Sequence, residues 1–201
     1  MENVVASIFH IESEAFQAFS ELKQFVQTEN TKLAQASIVK AENGVVNVKD
    51  SFDLMNSLGD DYFEGGLIGS LIGILGGPLG VLFGFATGGA IGASVGSDKE
   101  LINSALITTV SKKLTNGEVA IIALVQENDE SVLNAIFEKY QVDIARWDVA
   151  TVAAEIESAL KIQEDLEHQA KARLIADKKE ARREKFDKLK ASIKEKFSKK
   201  N

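Results

Sequence analysis

Acid–base chemistry in this chain would have to start from two histidines, His10 and His168. His10 follows a β-prone run, and His168 stands in the charged sequence EDLEHQAK. Neither has a partner at metal-ligand spacing. An edge histidine and a solvated one are the simpler readings. The chain has no cysteine, so thiol nucleophiles, thiolate metal sites and disulfides are excluded. Serines and aspartates occur without a nucleophile elbow or an ordered triad. The glycines lead to no Gly-Lys-Ser/Thr ending, and apolar residues fill their gaps, which argues against a phosphate loop. Asp60-Asp61 and Glu127/Asp129/Glu130 read as loop and helix-start acids, favourable where a helix dipole is positive. Trp147 alternates with Ala145 and Val149 on one strand face and reads as core. The sequence therefore predicts no catalytic residue, no cofactor and no metal, which is the profile of a non-enzymatic protein.

The residue type that does recur with a spacing is glycine. Twelve of the fifteen glycines fall between Gly65 and Ser97. Gly65, Gly69, Gly73 and Gly77 repeat every four residues, and so do Gly76, Gly80, Gly84, Gly88, Gly92 and Gly96. Glycine weakens a helix in water by about 1 kcal/mol relative to alanine. A GxxxG ladder makes sense where helix backbones touch, most often in lipid. Pro78 follows Gly76-Gly77 and divides the stretch. Two arms are expected, Tyr62 to Gly77 and Leu79 to Ser97, roughly 24 and 28 Å long at 1.5 Å per residue. A bilayer core is about 30 Å thick, so both arms are short for spanning. Asp60, Asp61 and Glu64 before the stretch, and Asp98, Lys99 and Glu100 after it, keep both ends in water. Tyr62 and Phe63 stand where interface aromatics stand. Leu67, Ile68, Leu71, Ile72, Ile74, Leu75, Leu79, Val81, Leu82, Phe83 and Phe85 must be hidden, by lipid or by neighbouring subunits.

Around the stretch the pattern is that of a folded domain. Val4–Phe9 reads as a buried strand and Ile11–Gln27 as a helix with Phe16, Phe19, Leu22, Phe25 and Val26 on one face. Ala36–Lys40 and Val45–Lys49 flank Asn43-Gly44, a hairpin-turn signal. Lys99–Leu114 reads as a helix closed by Asn116-Gly117. Val119–Val125 is the strongest strand signal. Ser131–Tyr140 reads as a helix capped by Asn128 or Asp129, Val142–Val149 as a strand, and Thr151 to about Lys200 as one long helix. The segments starting at VVASIF and VAIIALV both read strand, acidic loop, helix, and each leads into another strand. Two βαβ units imply an α+β, ferredoxin-like sandwich. The expected division is 1–61 and 99–150 for the halves of that domain, 62–98 for the apolar hairpin, and 151–201 for the long helix.

VVASIF, the GGLIG…GGPLG…GGAIG insert, and VAIIALVQE followed by ARWDV resemble a bacterial family of uncharacterised proteins, a domain of unknown function. The resemblance covers roughly residues 3–165. It implies a ferredoxin-like domain with an inserted glycine-zipper hairpin and carries no established activity.

Charge adds a second theme. Residues 1–170 carry 10 basic and 25 acidic side chains, whereas 171–201 carry 13 basic and 5 acidic. In the tail, Lys178, Lys179, Arg182, Arg183 and Lys185 surround the stripe Phe186, Leu189, Ile193, Phe197. That is the pattern of an amphipathic helix on an anionic membrane, or of a helix paired with another protomer. Nucleic acid ranks last, because no stacking platform or DNA-binding motif accompanies the charge. MENVVASIFHIESEAF lacks the basic start of a secretory signal. The expectation is a self-assembling, membrane-associated protein at the cytoplasmic face, with itself and anionic lipids as partners. The alternative is a soluble oligomeric ligand-binding or regulatory module with the hairpin buried between subunits.

Overall fold

The computed structural model describes residues 1–54, 66–77, 80 and 105–198. Gly65, Pro78, Gly84, Gly88, Gly92 and Gly96, the charged and aromatic flanks of the glycine stretch, and residues 99–104 of the expected third helix lie outside them.

Near-continuous apolar runs in the central strands build the sheet, successive side chains pointing to opposite faces. Its strands are β1 (Glu2–Phe9), β2 (Thr31–Glu42), β3 (Val45–Asp53), β4 (Val119–Glu127) and β5 (Val142–Asp148). They lie in the order β3-β2-β4-β1-β5. Every neighbouring pair is antiparallel. Five helices accompany the sheet among the described residues: α1 (Glu12–Lys23), α2 (Leu67–Gly76), α3 (Leu106–Lys113), α4 (Ser131–Phe137) and α5 (Val149–Ser198). The protein is thus α+β, with a five-stranded antiparallel sheet and a long C-terminal helix.

Alternation gives the sheet two apolar faces. One carries Val5, Phe9, Leu33, Ile38, Ile121 and Val125, covered by Ala15, Phe19 and Leu22 of α1 and by Leu133 and Phe137 of α4. The edge-on contact of Phe9 with Phe137, centroids 6.2 Å apart, lies in this layer. The other face carries Val4, Ala6, Ile8, Val39, Ala41, Ala120 and Ile122, all buried. There α2 packs against β2, β3, β4 and α3. Ile68, Leu71, Ile74 and Leu75 of α2 and Leu106 and Val110 of α3 are buried.

The local chemistry explains most boundaries. Asn43 (φ 55°) and Gly44 (φ 78°) occupy the left-handed region that a two-residue hairpin needs. Helix α1 ends at Lys23, four residues before the expected Gln27. The reason is Gln27 itself. Its side-chain amide donates to the Leu33 carbonyl and accepts from the Leu33 N–H, both at 2.9 Å. Val26, beyond the helix, is 79% exposed; within it Phe16 is 37% exposed and Ala15 and Ala18 take the inward places beside Phe19 and Leu22. Strand β2 starts at Thr31, five residues before the expected Ala36, because Thr31–Lys40 pairs along β4 through an irregularity between Leu33 and Gln35. The Asp129 carboxylate accepts from Ser131 N–H at 2.9 Å and starts α4. Asp148 accepts from the N–H groups of Ala150 and Thr151, so β5 turns into α5 with no loop. Trp147 is half-buried, not core as expected, because β5 is an edge strand.

Packing divides the chain into Met1–Leu160 and Lys161–Asn201. Helix α2, from the stretch expected as an insert at 62–98, belongs to the first unit and closes one face of its sheet.

Candidate functional site

The most built polar cluster lies where β4 ends and α4 begins. Arg146 of β5 reaches Glu127 Oε1 through Nε at 2.7 Å and Asn134 Oδ1 through Nη2 at 2.6 Å. Asn3 Nδ2 donates to the same Glu127 oxygen at 3.2 Å. Glu130 approaches Arg146 Nη1 at 3.5 Å. Glu127 is 3% exposed, and its Oε2 has no hydrogen-bond partner. A buried charge stripped of its partner costs about 3–5 kcal/mol, so this pair locks β4, β5 and α4 together. The guanidinium fills the space beside the carboxylate and disfavours a cation there. Sequence reading took Glu127 for a loop acid and did not single out Arg146. The signal was present: Val119, Ile121, Ala123, Val125 and Glu127 share one strand face, so Glu127 had to point inward.

The histidines behave as edge and surface groups. His10 Nδ1 lies 2.9 Å from Glu118 Oε1. Burial pushes the Glu118 carboxyl up, but hydrogen bonds from the Thr115 backbone and hydroxyl and from His10 outweigh it, and its pKa lies below the ordinary value. His168 pairs loosely with Glu164 one helical turn away, at 3.9 Å, and both are exposed. At the opposite edge of α1, Glu21 accepts from Lys139 Nζ and from the Tyr140 hydroxyl at 2.8 Å. Lys139 first, then Tyr140, holds the Glu21 carboxyl below its usual range. Burial and the Glu21 carboxylate push the Tyr140 hydroxyl up to about 12. These groups tie α1 to the end of α4. Ser7, Thr31, Ser37 and Ser111 are buried hydroxyls without a hydrogen-bond partner, so none is held by a base. Among the described residues no three His, Cys, Asp or Glu side chains could hold a metal ion.

The glycine stretch is described at residues 66–77 and Gly80. Helix α2 has ten residues, about 15 Å of helix, which is half a bilayer core. Its leucines and isoleucines were expected to need lipid or a neighbouring subunit. Most are buried within the chain, Ile68 and Leu71 at 0% exposure and Leu75 at 1%, where α2 packs on the sheet and α3. Gly69 and Gly73, one turn apart, fall on the other side of the helix from Leu71 and Leu75. Gly73 is exposed, and a Cβ added there would meet nothing within 4 Å. Gly73 is therefore not at a close contact among the described residues. Gly76 is, against a strand. A Cβ there would lie 2.7 Å from the carbonyl oxygen of Val46 on β3. The helix stops at Gly76 with Gly77 extended (φ −89°), where Gly-Gly-Pro was expected to break it. Gly80 is buried. Among the described residues no helix is long and apolar enough to cross a membrane.

The tail residues stand on α5. Lys178, Lys179, Arg182, Arg183 and Lys185 are exposed. Phe186, Leu189, Ile193 and Phe197 fall within the helix, and their side chains lie outside the described ones.

A family model for proteins of unknown function, DUF1269, matches residues 63–167. That span is just over half of the 201 residues and contains α2, α3, β4, α4, β5 and the start of α5. The chain belongs to the DUF1269 family. No curated protein and no solved structure matches it. For this DUF1269 protein the matched span thus includes both Glu127 and Arg146 of the buried pair and the arm that closes the sheet, while the basic end of α5 lies beyond it.

Proposed function

We propose that this protein is a non-enzymatic, self-assembling module that attaches to anionic membrane surfaces through the basic end of α5. The observation that carries the reading is the charge division: 13 basic against 5 acidic residues in 171–201, and the reverse balance before it. Lysines and arginines lie exposed along the described turns of this helix. Each basic residue near an anionic leaflet contributes about 1 kcal/mol. The acidic body is repelled by the same surface, which favours contact through the tail alone. With α2 occupied by the sheet, any insertion of the glycine stretch falls to 79–98. The proposed address is the cytoplasmic face of the membrane in a bacterial cell.

The body is read as ferredoxin-like. Leaving out β3, the order β5-β1-β4-β2 and the two strand–helix–strand crossovers support that reading. The glycine-zipper reading of the insert rests on the four-residue glycine repeat; the close approach of Gly76 is to strand β3.

Co-sedimentation with vesicles tests the attachment. The full chain is expected to bind vesicles of phosphatidylglycerol and to release them as salt rises, with little binding to phosphatidylcholine. Equal recovery in the supernatant with both lipids would sink the proposal. One observation favours a second reading, a soluble oligomeric regulatory module: the apolar face of α2 is already covered by protein. That reading expects a monodisperse oligomer indifferent to both vesicles.

A further inference from the structure

Residues 161–198 of α5 belong to the second unit. On this helix Leu166 and Leu174 are 42% and 56% exposed. They flank Ala170, with Gln169, Arg173 and Asp177 beside them on the same exposed helix face. Positions 163, 166, 170, 174 and 177 recur at three- and four-residue steps, a narrow seam of the kind one helix presents to another. The charges reverse about its centre. Glu164, Asp165 and Glu167 precede Ala170, after Lys161; Lys171, Arg173, Lys178 and Lys179 follow it, with Asp177 and Glu180 among them. All of these side chains are exposed. The pairs Glu164–His168 and Glu167–Lys171 reach only 3.9 and 3.8 Å, weak contacts in water.

We propose that this seam is a self-docking surface, on which a second copy of the chain lays the same segment antiparallel, crossing at Ala170. An antiparallel copy sets the acidic turns of one helix against the basic turns of the other. A parallel copy sets like charge against like. Alanine at the crossing lets the backbones approach, and Leu166 of each chain covers Leu174 of the other. An anionic membrane is the poorer occupant for this segment, because Glu164, Asp165 and Glu167 would be driven onto its negative surface. The pairing specifies the self-assembly in the proposed function but does not require the lipid half of it.

The chain has no native cysteine, so single cysteines report the geometry on the full-length protein without lipid. Ala170→Cys should form a disulfide-linked dimer under mild oxidation. Gln163→Cys and Asp177→Cys should each crosslink poorly alone and efficiently when mixed, since an antiparallel crossing at Ala170 superposes the two positions. In a parallel pair they stay about 21 Å apart, at 1.5 Å per residue. Leu166→Lys should at least halve the Ala170→Cys crosslinking yield while leaving phosphatidylglycerol binding in place. Efficient self-crosslinking of Gln163→Cys without mixing would overturn the antiparallel pairing, and a monomeric chain with no crosslink at any of the three positions would overturn self-docking altogether. Either result with vesicle binding intact leaves the membrane reading standing; crosslinking as expected without vesicle binding removes the membrane reading alone.

Discussion

The two faces of the sheet are closed by different kinds of helix. On one face, α1 buries Ala15, Ala18, Phe19 and Leu22 and turns charged residues to water, among them Glu12, Glu14 and Lys23. On the other, α2 has no charged residue at all, and its outward positions are glycines and a serine. Each helix buries one arc of large side chains, Phe19 and Leu22 on α1 and Ile68, Leu71, Ile74 and Leu75 on α2. Hydrophobic burial needs one apolar arc and is indifferent to what occupies the rest of the helix. A glycine-backed helix therefore makes a sound core element even though composition alone suggests a lipid-seeking one.

The comparison breaks most directly at leucine. Leu22 of α1 and Leu71 of α2 are both 0% exposed. Truncating a buried leucine to alanine costs about 2–5 kcal/mol. Leu22→Ala and Leu71→Ala should each lower the urea midpoint of the same cooperative transition, by similar amounts. If Leu71→Ala left the midpoint unchanged, α2 would not belong to the core.

Glycine sharpens the comparison on a smaller scale. Gly76→Ala drives a Cβ toward the Val46 carbonyl at 2.7 Å and should destabilise by about 1–3 kcal/mol, the usual cost of overpacking. Gly73→Ala enters open space and should stabilise by up to about 1 kcal/mol, the helix-propensity gain. Thermal melts of both variants decide it; a destabilising Gly73→Ala would place a second backbone against that side of α2.

The smallest difference is in pH. Glu21, on the α1 face, has its folded pKa lowered from 4.5 by Lys139 and Tyr140. Its contribution is present above the unfolded value and is lost as pH falls through the folded one. Glu155 of α5 caps α3 by accepting from Leu106 N–H at 3.1 Å and Ile107 N–H at 3.3 Å. Burial pushes its carboxyl above 4.5 despite those bonds. Its ionised form is disfavoured in the folded state, so stability rises as pH falls through the raised pKa toward 4.5. Glu21→Gln should flatten the acid limb of the melting-temperature profile below 4.5, and Glu155→Gln should remove the gain just above it. Profiles that both retain the wild-type shape would show that neither group matters.

Much of the first face was legible in sequence. VVASIF, Asn43-Gly44, VAIIALV and the helix containing Phe19 and Leu22 all carry period, turn or cap signals, and these local preferences agree with the fold. The second face was less legible for a physical reason. Glycine on the outside of α2 erases the polar side that makes amphipathicity visible, so Ile68 and Leu71 read as residues to be hidden by lipid or a neighbouring subunit rather than by their own domain. The start of β2 was hidden by the irregularity at Leu33, which interrupts the alternation. The Glu127–Arg146 pair was missed because its members are 19 residues apart and meet only through the crossover from β4 to β5. The basic tail was plain from composition, and the one long helix that carries it from the pattern after Thr151, which lacks glycine and proline.

Gln27 carries one more consequence. By offering a carbonyl and an amide N–H to Leu33, its side chain imitates one residue of an adjacent strand at the point where β3 no longer reaches. A slip of β2 by one residue would send Leu33, Ala36 and Ile38 to the α2 side and bring Ser37 and Val39 to the α1 side. It would also strand the Gln27 amide opposite the wrong backbone groups. A single side chain at the end of a loop thus acts as an alignment pin, coupling where α1 ends to which residues each layer of the protein receives.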